Sequence, residues 1–177
     1  MVVSMELWDV YDAKRNKTGK TMVRGDTFAE GTYHLVVHVC VFNTKGELLL
    51  QHRQTFKSGF PNLWDITVGG SALCGEESYQ AAEREAMEEM GIPLDLKNVR
   101  PQVTVSFHNA FDDVYVVEKD LELGDLRFQY EEVQGAKWAT REEIYELMEQ
   151  GAFVPYCKGF IDWVFDSRRC DGFFLME

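Results

Sequence analysis

Hydrophobic and polar positions fall in short strand-like runs through the first third of the chain and shift to a helical interval near its middle. Glu6 to Asp12 and Lys20 to Arg24 flank a polar turn, Ala13 to Gly19, and predict an N-terminal β-hairpin. Tyr33 to Phe42 is rich in Val and aromatics, Asn43 to Gly46 supplies a turn, and Glu47 to His52 resumes, so these two strands are expected to pair. Gln54 to Leu63 carries Gly59 and Pro61 and reads as irregular; Trp64 to Val68 then reads as a strand ending at Gly69-Gly70. From about Glu76 to Met90 the apolar side chains Tyr79, Ala82, Ala86 and Met90 recur at helical spacing, and Gly91 is placed to terminate the helix. Strands are expected again at Val103 to His108, Val114 to Glu118 and around Ala136-Lys137-Trp138. Thr140 and Glu143 have the spacing of a capping box that opens a helix through Met148, and Lys158 to Ser167 is too apolar for a solvated helix. Strands mixed with three helices predict an α/β or α+β sandwich.

The 177 residues, 45% of them hydrophobic, can bury one core, and no linker or repeat divides them, so a single domain over residues 1–177 is expected. A formal charge of −12 argues against a nucleic-acid polymer or an anionic membrane surface as partner. A small anionic substrate stays compatible, because a metal ion reverses the field locally. No apolar run approaches the ~18 residues of a membrane span, and Met1 to Met5 is too short for a signal peptide, which predicts a cytoplasmic protein. Cys40, Cys74, Cys157 and Cys170 lack CxxC spacing and read as reduced thiols.

The chemistry concentrates at Glu85, Glu88 and Glu89. On a helix these carboxylates share an arc of about 100°. Taken alone, such a segment is ordinarily a solvated acidic face. Withdrawn from water, three carboxylates repel one another, and a hard divalent cation turns that repulsion into ligation, with Mg2+ or Mn2+ the natural guest. Gly69 and Gly70 let the backbone pass close to the same place.

Gly70, Glu76, Arg84, Glu85, Ala86, Glu88, Glu89, Gly91 and Ile92 fill every specified position of the pattern GX5EX7REUXEEXGU, the Nudix box, and the chain thereby resembles the Nudix hydrolase family. The resemblance implies an α/β/α sandwich with a mixed sheet and metal held by Glu85, Glu88 and Glu89. It implies bracing of loop and helix by Glu76 and Arg84, with Gly91 closing the helix and Gly69 and Gly70 beside the substrate. The reaction implied is water attack on phosphorus in a nucleoside diphosphate linked to a group X, or a related organic diphosphate. Arg84 belongs to the catalytic set, and Glu85 or Glu88 is the candidate base. A carboxylate outside the box could serve instead, from Asp112-Asp113 or Glu131-Glu132, although both pairs read first as surface turns.

Beyond the box, the segments ELWDVYD, TGK, VRGD, GTYH, LLLQHR and FKSGFPNLWD resemble the Nudix branch that includes isopentenyl-diphosphate isomerase. That likeness implies that Arg53 and Lys57 grip a diphosphate, as their donor sets allow. His34 matches a metal-binding histidine, but beside a Val-rich strand it reads as structural. The isomerase cysteine and histidine positions hold Gly69 and Ser71, so hydrolysis is favoured. A prenyl-diphosphate enzyme and a non-catalytic nucleotide sensor are the alternatives. Phe56, Phe60, Trp64, Phe107 and Phe111 could stack on a base but read first as packing. A homodimer is possible through the apolar last helix and the Phe173-Phe174-Leu175 tail.

Overall fold

The computed structural model describes residues 6–171 and 174–175; Met1 to Met5 and Phe173 lie outside them. Strands β1 (Leu7–Tyr11) and β2 (Lys17–Val23) form the N-terminal hairpin, pairing Leu7 with Val23. Its turn is tighter than expected. Asp12 accepts from the backbone N–H groups of Lys14 and Asn16, and Arg15 takes a left-handed φ of 63°, so Thr18 and Gly19 are strand residues.

The main sheet is built from β3 (His34–Phe42), β4 (Leu48–Arg53), β5 (Trp64–Asp65), β6 (Val68–Ser71), β7 (Val103–Phe107), β8 (Ala110–Glu118) and β9 (Val133–Ala139). The expected β3–β4 hairpin is paired only at its turn, Phe42 with Leu48. From there the strands diverge. β3 runs parallel to β8 along its whole length and antiparallel to β6, while β4 runs antiparallel to β9 and β5. The segment read as one strand from Trp64 to Val68 is therefore two, because the chain changes partner between Asp65 and Val68. Thr67 occupies the fork: its hydroxyl donates to the Leu49 carbonyl at 2.6 Å and accepts from the Val41 N–H at 2.9 Å. These bonds replace ladder bonds that the divergence removes.

Alternation along β3 divides the core. Leu35, Val37, Val39 and Val41 point to the layer of α1 (Ser78–Met90), where Ala81, Ala82, Ala86 and Met90 are buried. Cys40 and Phe42 point to the opposite layer, with Ile144 of α2 (Arg141–Glu149) and Ile161, Val164 and Phe165 of α3 (Lys158–Ser167). Each fully buried aliphatic side chain contributes about 1.5–3 kcal/mol. The result is the α/β/α sandwich with a mixed sheet. The apolar face of α3 is thus used inside the chain rather than left for a second copy; of the tail, Phe174 lies on the short pair β10 (Cys170–Asp171) and β11 (Phe174–Leu175) and is exposed.

Helix ends follow the sequence signals. Thr140 Oγ1 accepts from the Glu143 N–H and the Glu143 carboxylate accepts from the Thr140 N–H, the expected capping box. Gly91 ends α1 at φ 70°, its N–H donating to Met87 and that of Ile92 to Ala86. A Cβ at Gly91 would lie 2.8 Å from Cβ of Arg127. Gly91→Ala is expected to destabilise the protein by about 1–2 kcal/mol from the left-handed backbone, and by more if Arg127 does not yield, read as a lowered urea midpoint at unchanged slope.

Candidate active site

Two requirements set the site: α1 has to approach β6 closely, and β6 has to leave room for it. Gly70 meets both. A Cβ there would lie 2.2 Å from the Glu85 carboxyl, so only glycine lets that side chain lie across the strand. Its neighbour Gly69 faces the other way, where a Cβ would come within 2.6 Å of the His38 ring. This geometry also explains the glycine at the isomerase cysteine position: a side chain at 69 displaces His38.

Arg84 ties the loop before α1 to the helix. Its Nε and one terminal nitrogen donate to the two oxygens of Glu76 at 2.7 and 3.0 Å, and that nitrogen also reaches the Ser71 carbonyl at 3.1 Å. The other terminal nitrogen lies 2.9 Å from Glu85 and 3.1 Å from Glu88. Glu76 in turn accepts from the Leu73 N–H at 2.8 Å. Burial acts to raise the Glu76 carboxyl, but Arg84 and the Leu73 N–H outweigh it and hold it below its ordinary value. Arg84 is held firmly protonated by the same partners, against the effect of its own burial.

Glu89 is the contrasting case. It is only 6% exposed, and among the described residues its carboxylate is hydrogen-bonded to the neutral Gln51 amide, at 3.1 Å. Burial first, and the nearby Glu85 charge second, push it up to about 8. Burial likewise raises Glu85, with Arg84 opposing. Both acids face one cleft of about 200 Å³, Glu89 buried against a neutral amide and Glu85 partly buried beside Arg84.

Arg53, Lys57, Gly69, Gly70, Arg84, Glu85, Glu88 and Glu89 all line that cleft. Arg53 is partly committed: it donates to Asp65 at 3.1 Å and to the carbonyls of Gly59 and Phe60, the latter a residue with φ 49°. Of the five N–H groups of a guanidinium, this leaves one on each terminal nitrogen for a ligand. Lys57 is paired with Glu132, and burial and Arg53 hold its ammonium below the usual lysine value. Glu76 and Gly91 lie outside the lining, as expected of braces.

The chemistry of the carboxylate trio fits a hard divalent cation: oxygen donors alone, with Glu89 buried beside no cation and Glu85 partly buried. Their arrangement does not yet enclose one. Among the described residues no three acidic, histidine or cysteine side chains converge closely enough to hold an ion, and Glu88 accepts a hydrogen bond from Arg84.

Several expectations are corrected. Asp112 and Asp113 are buried in β8 rather than on a turn: Asp112 holds His38 Nδ1 at 2.8 Å, and Asp113 pairs with Arg15 and Thr104. Burial would depress the His38 imidazole, but the hydrogen bond and charge of Asp112 raise it. Glu132 reaches the cleft from its turn, while Glu131 does not line it. His34, which already read as structural, stacks on Trp8 with ring centroids 4.4 Å apart, and burial lowers it to about 4. Sequence reasoning missed Gln51, Gln129, and Glu6 and Arg24 of the hairpin, which also line or support the cleft. Gln51 had a signal: a polar residue directly after three buried leucines.

The residues 32–163 match the family model of the NUDIX domain. An uncharacterized Nudix hydrolase of Listeria monocytogenes is 50% identical over 165 residues, 93% of this chain and 96% of its own. A crystal structure from Deinococcus radiodurans superposes with a TM-score of 0.72 at 26% identity, covering 94% of this chain and 99% of that one. At lower identity, an isopentenyl-diphosphate delta-isomerase of Halorhodospira halophila is 32% identical over 70% of this chain and 63% of its own. The chain belongs to the Nudix family. It is an enzyme of the pyrophosphohydrolase class, whose members generally need divalent metal ions.

Glu89 binds a proton more readily folded than unfolded, so between its ordinary 4.5 and about 8 the folded state carries more protons and stability falls as pH rises. In chelator, Glu89→Gln is expected to be more stable than the parent near pH 8, with the gap closing below about pH 4.5. Chemical denaturation across that range checks it, and a parent stability independent of pH would contradict the assigned environment.

Proposed function

We propose that this enzyme hydrolyses the diphosphate linkage of a small organic diphosphate, with Mg2+, or Mn2+ in its place, bound by Glu85, Glu88 and Glu89. The observation that carries this is the meeting in one cleft of the buried Glu89 carboxylate, with only a neutral amide beside it, and the partly buried Glu85 with the cations Arg53 and Lys57. Carboxylates without enough positive charge favour a metal ion; cations beside them favour the phosphate oxygens that accompany one. The metal would supply charge neutralisation on the diphosphate and acidify a water.

The remaining work falls to the chain's own residues. Lys57 exchanges Glu132 for a phosphate oxygen, and the free N–H groups of Arg53 fix the diphosphate beside β6. Gly70 lets the substrate and the Glu85 carboxylate share one face of the strand. Glu85 accepts the proton of the attacking water, since its burial raises its basicity; Glu88 is the second candidate for that step. Arg84 keeps Glu85 oriented while Glu76 keeps Arg84 in place. Isomerisation is disfavoured because Gly69 has no space for an acid-bearing side chain.

The whole chain, 1–177, is proposed to act as one domain, supported by two core layers that share one sheet. Its four unpaired cysteines and the absence, among the described residues, of a helix long and apolar enough to cross a membrane support a cytoplasmic setting.

With a panel of organic diphosphates and Mg2+, Glu85→Gln is expected to lower kcat by on the order of 10²–10⁴, while Lys57→Ala raises KM with a smaller effect on kcat. Magnesium at about 100 times its Kd should stabilise the parent by ~2.7 kcal/mol and Glu89→Gln by much less. Full activity in Glu89→Gln and Glu85→Gln alike would remove the assignment.

A further inference from the structure

A second cavity of about 420 Å³ lies on the opposite face of the sheet, lined by Phe60, Phe107, Phe160, Tyr156, Val105 and Val154, with His38, Asp65, Asp112 and Arg53 at its base. Its size is within the usual range of small-molecule sites. It adjoins the carboxylate cleft at two points. Arg53 lines both cavities. Gly69 lines the cleft, and the ring against which its missing Cβ would press is that of His38, which lines the second cavity. One strand's backbone separates them.

The two carboxyl groups at the base, Asp65 and Asp112, already have partners. Asp65 accepts from the Tyr156 hydroxyl at 2.9 Å, the Ile66 N–H at 2.8 Å and Arg53 at 3.1 Å. His38 Nδ1 bonds to Asp112 at 2.8 Å. Apart from His38 Nε2 and the two Arg53 N–H groups left for the linkage, what remains is apolar: Phe60, Val105 and Phe107 are 50%, 40% and 43% exposed around one concavity. Lone exposed apolar residues are ordinary, but three converging on one hollow beside a phosphate-binding arginine are not. A sugar placed there would lose its bonds to water and find few replacements; a hydrocarbon group would lose nothing and cover the three side chains.

We infer that this cavity receives the non-phosphate end of the substrate, and that this end is a compact apolar group, aryl or branched alkyl, rather than a polyhydroxylated sugar. The inference rests on the proposed diphosphate hydrolysis, with Arg53 holding the linkage between the two cavities.

The test compares benzyl, methyl and glucosyl diphosphates with the magnesium-loaded enzyme. Benzyl diphosphate is expected to give the highest kcat/KM, and Phe107→Ser to lower that value on the order of tenfold, mainly through KM, while leaving methyl diphosphate unchanged. In parallel, benzyl alcohol, which has no phosphate, is titrated into Glu89→Gln and followed by amide NMR; shifts at Val105 and Phe107 are expected. If no diphosphate is hydrolysed but those shifts occur, the cavity assignment stands and the reaction assignment fails. Equal hydrolysis of all three compounds, unmoved by Phe107→Ser, a preference for the glucosyl compound, or shifts elsewhere or none would overturn the apolar assignment.

Discussion

The divergence of β3 and β4 is the constraint on which the rest depends. Two strands joined by a tight turn would ordinarily stay paired, and here they share only the pair next to the turn. The gap is bridged by a single hydroxyl, that of Thr67, which serves a donor on one strand and an acceptor on the other. Because the chain changes partner at that residue, the segment after it runs along β3 and reaches α1. Gln51 on β4, meanwhile, is left facing Glu89. A sheet without the fork would bring neither contact about.

The site is stabilised by unequal treatment of similar groups. Glu76 and Glu89 are chemically identical, yet one lies in a bidentate embrace with Arg84 and the other against a neutral amide, and their proton affinities move in opposite directions. The chain's charge of −12 would suggest a uniformly repulsive surface toward phosphate. Near the cleft the balance depends on which acids already have a partner: Asp65 and Glu132 are matched with Arg53 and Lys57, and Glu85 and Glu88 share Arg84, while Glu89 has only a neutral amide.

Much of this was legible in the sequence, for reasons specific to each element. The capping box at Thr140, the glycine terminator at 91 and the apolar run of α3 depend on contacts a few residues apart, and the periodicity carries them. The placement of Gly70, Glu85 and Glu89 in one cleft with Arg53 and Lys57 followed from box spacing and from the resemblance. What escaped was long-range. Asp112 and Asp113 looked like turn formers because Asp favours turns, and only their partners, His38 and Arg15 from distant strands, make a buried acidic pair tolerable in β8. The partner exchange at Thr67 leaves no local trace, since Trp64 to Val68 has strand character throughout. For His34 the structural reading came from its place beside a Val-rich strand; only its partner, Trp8, was hidden.

Gly69 and Gly70 are adjacent residues of one strand, and their missing side chains face opposite layers of the molecule. A single peptide unit is thus the partition between a charged compartment and an oily one. Partitions of that thinness couple what they divide. A methyl group added at Gly69 would meet the His38 ring, and one added at Gly70 would meet the Glu85 carboxyl, so neither residue can change without disturbing the compartment it faces. Val105 and Phe107 line the second cavity away from this partition, so a change of shape there touches neither glycine.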